Sequence, residues 1–406
     1  MKWIKYVAHP HLYLVFFLLI SALAFIPNGL GWSGHLVGNT RDYFWLYALY
    51  VFFYLAGYYC YQKKPVIQSR EVENSMISYF QLAFGVSLFF FFAKFIYIGD
   101  IPLFSSDPYI RTKLGRLGGF VDFPTKMMAL LGIIAYYFFL KQKKFIYLLQ
   151  FLLSVSLNLL FAERSLLVFT VLGAIFLYAN MKKISLKLFR RILVGIVFVI
   201  FLIGWVQIKR HGGKEKLDLS EKRSTLEVVA WVVHGDLTGS QKFGAEVVNN
   251  LDGKTLAGRY TLGIYLSVLI PGYSDHGATY LQKNFSRSKT ARSAAIPYSY
   301  YMDFGIFSLI IPFIIGYISS ILYRRFTTFK SPFYVILYIA FFFNLLWSVR
   351  AGNFPIDPKL IYFLLVLLFI FNPRFKLKLN NESVQVIRAV FICTLVLSSV
   401  ALIIRW

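Results

Sequence analysis

Acidic residues are scarce in this chain: 18 Asp and Glu stand against 43 Lys and Arg, and charged residues make up only 15% of 406 positions. That is too little charge to clothe a water-soluble domain of this size. Cysteine is nearly absent. Cys60 and Cys393 both lie in apolar runs, which excludes a disulfide framework and a thiolate metal site. Common signatures of soluble enzymes are missing as well: there is no G-x-x-x-x-G-K-[ST] phosphate cradle, no H-E-x-x-H and no G-x-S-x-G elbow. No Asp-x-Asp pair offers a seat for a divalent ion, so neither a metal nor a cofactor is expected.

What fills the chain instead is apolar. Hydrophobic residues reach 58% and the mean hydropathy is +0.62. Apolar runs of roughly 20 residues recur, which is the length a bilayer demands of a helix. The reading is one integral membrane domain over 1–406, all-α and polytopic, because no polar block is large enough for a separate core. Helices are expected over strands, since the runs lack the alternation of a barrel. Spans are predicted near 12–27, 43–61, 78–98, 123–140, 145–161, 165–179, 189–207, 296–323, 332–349, 358–372 and 385–404. Lys2 and Lys5 precede an apolar run that could pass for a signal peptide, but the first span is read as uncleaved.

The net charge of +25 is explained by topology rather than by nucleic acid, which is not an expected partner. With the N-terminus cytoplasmic, the connectors "QKKPVIQSREVENS", "KQKK", "NMKKISLKLFRR", "RRFTTFKSP" and "NPRFKLKLNNES" all fall inside, and each is rich in Lys or Arg. About eleven spans then leave the C-terminus outside and give one large external loop over 208–295, expected to contain short helices. Gly258 to Pro271 is apolar but too short to cross, and is read as an interfacial or re-entrant helix.

Arginines gather at the outer ends of the spans. Arg164 sits in the tight connector "FAERS", where it either snorkels, pairs with Glu163 or faces a shared cavity. Lys94 and Lys126, inside apolar runs near the same face, are read as snorkelling. Lys209, Arg210 and His211 close a span after Trp205, an arrangement that anchoring alone also explains. Arg259 follows Gly258, Arg292 ends the cationic run "SRSKTARS", and Arg350 lies in "WSVRAGNFP". Guanidinium binds phosphate bidentately and keeps its charge, so cations from distant positions on one face point to an anionic ligand such as a lipid-linked pyrophosphate. A transfer reaction also needs a proton acceptor. His276 is the first candidate and Asp303 the second, with His211, His234, Asp275 and Glu163 also on that face. Asp303 pairing with an arginine is the plainer alternative.

The stretch "SAAIPYSYYMDFGIFSLIIPFIIGYISSILYRR" resembles the signature of O-antigen polymerases, the Wzy-type oligosaccharide repeat-unit polymerases. The matching positions are Tyr300, Asp303, Phe304, Gly305 and Gly316, with "TLGIYLSVLIP", "AERS" and "VRAG" also similar. Gly272 stands where the family usually has a basic residue after the proline. The resemblance implies a GT-C-like membrane glycosyltransferase of the bacterial inner membrane, acting without metal on its periplasmic face. It implies transfer of a glycan from undecaprenyl pyrophosphate onto another lipid-linked repeat unit, beside a flippase and a chain-length regulator. Arg164, Arg210, Arg259 and Arg350 would then hold the diphosphates, and His276 or Asp303 would take the proton. An O-antigen ligase, or a lipid-linked oligosaccharide flippase, are the other readings of the same pattern.

Overall fold

The computed structural model describes residues 8–25, 40–61, 74–99, 101–103, 105, 118–161, 163–181, 225–263, 277–285, 293–328, 331–350 and 358–371. The described residues form helices and turns, with no strand among them. In order these are α1 (His11–Phe25), a 3-10 turn (Thr40–Tyr43), α2 (Phe44–Cys60), α3 (Asn74–Ile98), α4 (Gly118–Gln142), α5 (Phe145–Leu160) and α6 (Arg164–Met181). There follow α7 (Thr225–Asn250), α8 (Gly277–Phe285), α9 (Tyr298–Phe304), a second 3-10 turn (Gly305–Leu309), α10 (Ile310–Thr328), α11 (Pro332–Ser348) and α12 (Pro358–Phe371). The predicted spans at 189–207 and 385–404 lie outside the described residues.

Three stretches are long and apolar enough to cross a membrane, 76–98, 123–142 and 298–327, and α1, α5, α6, α11 and α12 are shorter apolar helices. The outward faces are apolar too. Val15 and Leu19 on α1, Leu149 and Leu152 on α5, Phe307 in the second 3-10 turn, and Ile310 and Ile314 on α10 are all exposed. Large apolar side chains exposed on several helices are suited to contact with lipid.

Two sub-bundles share one hub. On one side α2 packs against α10, and α7 against α1 and α9; on the other α4 is surrounded by α3, α5 and α6. Helix α11 touches α1, α10, α4, α6 and α12, and so joins the two. It is apolar on every face, as a helix buried all round must be, and Val335 to Phe343 are buried without a break. Pro332 opens it at a position where a missing N–H costs nothing.

The α2–α10 pair approaches closest. A Cβ added to Gly316 would lie 2.0 Å from the Tyr54 carbonyl oxygen, and one on Gly57 2.0 Å from that of Phe313. Small residues at facing positions let two backbones meet where lipid gives no hydrophobic drive to association.

Along the buried face of α2, Tyr47, Tyr50, Tyr54 and Tyr58 recur at spacings of three and four, one stripe of a helix. Their hydroxyls are satisfied across the bundle. Tyr47 donates to Gln241 Oε1 of α7 at 3.0 Å, Tyr54 to the Pro10 carbonyl at 3.4 Å, and Tyr58 meets His9 Nε2 at 3.3 Å. Tyr50 and Tyr13 pair hydroxyl to hydroxyl at 2.9 Å, both fully buried. Tyr13→Phe is therefore expected to cost about 1 kcal/mol by stranding the Tyr50 hydroxyl, whereas Tyr13→Phe with Tyr50→Phe should recover most of that loss. Thermal unfolding of the detergent-solubilised variants measures both.

The predicted span at 296–323 is matched by the apolar stretch 298–327, which carries a 3-10 interruption after Phe304, where Gly305 takes φ 56°, before α10. One expectation is corrected here. The 208–295 segment holds more than short helices, since α7 alone runs for 26 residues.

Candidate functional site

One end of the bundle gathers segments from across the chain. Helix α7 lies over the C-terminal end of α1, where the His234 ring meets the Leu23 carbonyl at 3.1 Å. Its far half is buried through Thr238, Gln241, Lys242 and Phe243, and burial pulls the Lys242 ammonium below the ordinary lysine range. After α7 the chain turns back through Asp252 and Gly253, both left-handed. The Leu256 N–H then donates to the Met302 carbonyl at 2.8 Å, laying the returning segment along α9.

A second reversal follows at Ala257 and Gly258, with φ of 48° and 85°. Glycine adopts that conformation freely, while an alanine there is strained by about 1–2 kcal/mol. The result is that successive amides face one carboxylate. Asp303 Oδ1 accepts from the Tyr260 N–H at 3.1 Å, and Oδ2 from the Thr261 N–H and the Thr261 hydroxyl, each at 2.6 Å. The Gly258 N–H contributes as well. Asp303 is 1% exposed. Its partners among the described residues are amides and a hydroxyl rather than a guanidinium.

The same turn carries Arg259 on its exposed side, the guanidinium 5.6 Å from the ring of Tyr280 on α8. Tyr260 points inward. Burial raises its hydroxyl above the usual tyrosine range, so it keeps its proton and serves twice: it donates to the Ala294 carbonyl at 3.0 Å and accepts from the Ala294 N–H at 2.9 Å. Residues 293–297 then act as a strap. Ala295 N–H donates to Ser240 of α7 at 3.2 Å, and Ile296 N–H to the Ser348 carbonyl at the end of α11 at 3.4 Å. Gln241 reinforces the joint by donating to the Val349 carbonyl at 3.3 Å. Arg350 comes next, its guanidinium 4.7 Å from the Trp347 ring. Thus the strap links the neighbour of Arg259 to the residues just before Arg350.

Beside this joint a groove opens between α6, α11 and α12. Phe169, Phe343 and Phe363 form apolar walls, and Ser165, Asn344, Trp347 and Lys359 supply the polar lining. Arg164 is the residue before Ser165 and opens α6; Lys359 lies in the first turn of α12. Cations at helix N-termini oppose the helix dipole, and an anion relieves both at once. Glu163 is half-buried in the connector, its N–H donating to the Asn158 carbonyl at 3.0 Å.

Hydrogen bonds through residues 293–297 thus connect the Arg259 turn to the end of α11 just before Arg350, and Ser165, the residue after Arg164, lines the adjoining groove. Tyr300 is not on the open side. It is buried to 1% and close enough to Tyr13 to interact with it electrostatically. His276, Arg210, His211, Asp275 and Arg292 lie outside the described residues. Lys94 does not snorkel: it is 3% exposed, with Nζ 3.4 Å from Thr125 Oγ1 and 4.0 Å from the Phe161 ring. An ammonium held below the surface is stabilised by such partners where lipid would not solvate it. The sequence reading missed Lys359, Asn344 and Trp347. The signal for Lys359 was available, as a cation directly after a helix-opening Pro358 sits at the wrong pole of the dipole.

No family model, curated protein or solved structure matches the chain.

Proposed function

We propose that this protein is a membrane polysaccharide polymerase that joins undecaprenyl-pyrophosphate-linked oligosaccharide repeat units, as the resemblance to O-antigen polymerases implies. The observation that carries the reading is the joint at which residues 293–297 tie the Arg259 turn to the Arg350 end of α11, next to a groove with apolar walls and Lys359 in its lining. An amphiphile with an isoprenoid tail and a diphosphate head has this same division. Its tail would lie along Phe169, Phe343 and Phe363 and its head beside Lys359, within reach of Arg164, Arg259 and Arg350.

In that chemistry a sugar hydroxyl of the acceptor attacks the anomeric carbon of the donor. The bond to the diphosphate breaks, and undecaprenyl pyrophosphate leaves with the electron pair. Arginines stabilise the charge that develops on the leaving oxygen, which is where such donors lower a barrier most. The acceptor's proton passes to a base on the same face, for which His276 is the remaining first candidate. The reading places this end of the bundle on the periplasmic side of a bacterial inner membrane, with the N-terminus cytoplasmic, the C-terminus periplasmic and about eleven spans. A flippase and a chain-length regulator are the expected neighbours.

The test is genetic and chemical together. Arg164→Lys retains a positive charge but loses the bidentate fork. It should abolish polymer ladders on silver-stained polysaccharide while the protein remains at wild-type level in the membrane. Wild-type ladders from that variant would remove Arg164 from the site. Deletion of the gene should leave single-repeat product; free lipid-linked polymer would instead identify a ligase.

A further inference from the structure

We infer that Asp303 is a positioning residue: its carboxylate occupies a nest of backbone amides and so fixes the turn that presents Arg259. This assigns the acid of the "YYMDFG" run a role other than proton acceptor, and its functional half rests on the diphosphate reading above.

Three observations carry it. Both oxygens are taken, Oδ1 by the Tyr260 N–H and Oδ2 by the N–H and hydroxyl of Thr261. A base needs a lone pair aimed at the substrate and an approach to it; Asp303, Tyr260 and Thr261 are each 1% exposed or less. Secondly, the carboxylate is met by amide and hydroxyl dipoles. Consecutive N–H groups around a left-handed residue form a concavity that binds anions, and here the protein fills it with its own carboxylate. Asp303 therefore does not neutralise Arg259, which an ion pair between them would do. Thirdly, the turn needs an outside support. Ala257 and Gly258 are both left-handed, and the amides that follow are buried away from water. Without the anion those donors would be unsatisfied, and the cheapest relief is for the turn to open and swing Arg259 away.

The test uses the full-length protein in lipid nanodiscs. A nitroxide attached to Arg259→Cys reports the motion of the turn. With Asp303 present the spectrum should show one immobilised component; adding Asp303→Asn should convert it to a mobile one, and Thr261→Val, which removes a single donor, should give an intermediate mixture. In the unlabelled protein, Asp303→Asn should weaken binding of undecaprenyl pyrophosphate about tenfold. Arg259→Gln added to Asp303→Asn should weaken it no further, because the two act as a unit. Additive losses, or an immobile label in the Asp303→Asn protein, would overturn the proposal. So would normal diphosphate binding by Asp303→Asn with polymerisation abolished, which would make Asp303 the base. If the wild-type protein fails to bind the lipid diphosphate, the polymerase reading falls, while the label still decides the role of Asp303.

Discussion

Gly316→Leu should leave almost no folded protein. A Cβ at this position would lie 2.0 Å from the Tyr54 carbonyl oxygen and 2.9 Å from the Tyr58 nitrogen, and both are backbone atoms of α2 that cannot rotate away. Overpacking against side chains costs about 1–3 kcal/mol, and more where nothing can yield. Here the two helices must separate, and the loss spreads along the whole α2–α10 contact, the most extensive between helices among the described residues. Gly57→Leu should behave alike, because the approach is reciprocal: its Cβ would meet the Phe313 carbonyl oxygen. Size-exclusion chromatography in mild detergent should show aggregate in place of a monodisperse peak. Gly85→Leu is the control, since a Cβ there has open space and should leave the peak unchanged.

Arg350→Gln should stop polymer synthesis without that loss of fold. Glutamine keeps a planar polar group on a flexible stem but removes the charge that lies over Trp347. Deleting one donor that stabilises a developing anion lowers a rate by roughly 100-fold to 1,000-fold. Arg259→Gln should give a loss of the same order, since residues 293–297 connect the Arg259 turn to the end of α11. Ladder length and protein level, measured in the same cells, separate chemistry from folding. Full ladders with Arg350→Gln would mean that its guanidinium serves only to anchor the end of α11.

Much of the helical framework was legible in apolar run lengths, because a segment that must satisfy its own backbone in lipid has few other solutions. Helices α1 to α6, α11 and α12 lie where those runs predicted them. The break at Gly305 was not legible, since "MDFGIFSL" stays apolar on both sides and periodicity carries no sign of a kink. Helix α7 was hidden for another reason: its apolar residues alternate with Asp236, Gln241, Lys242 and Glu246, so no window is hydrophobic enough to register. Of the site, the sequence offered the arginines but not their supports. Asp303 and Thr261 are 42 residues apart, and only the folded chain reveals that one clamps the other. Lys94 misled for a similar cause. Its partners Thr125 and Phe161 come from two other parts of the chain.

The central place of α11 has a consequence for biogenesis. It is the element that both sub-bundles share, yet it is made only after α1 to α10 have been synthesised. Until it enters the bilayer, α6 presents to lipid a seam meant for Phe342 and Phe343, and the segment leading into α1 lacks the hydroxyl that Tyr338 delivers to the Ala8 carbonyl. Insertion of the early helices can proceed in order, but locking of the two halves must wait for this late arrival. A nascent chain stalled before Pro332 would therefore remain an unlatched intermediate, a natural target for the membrane's quality-control proteases.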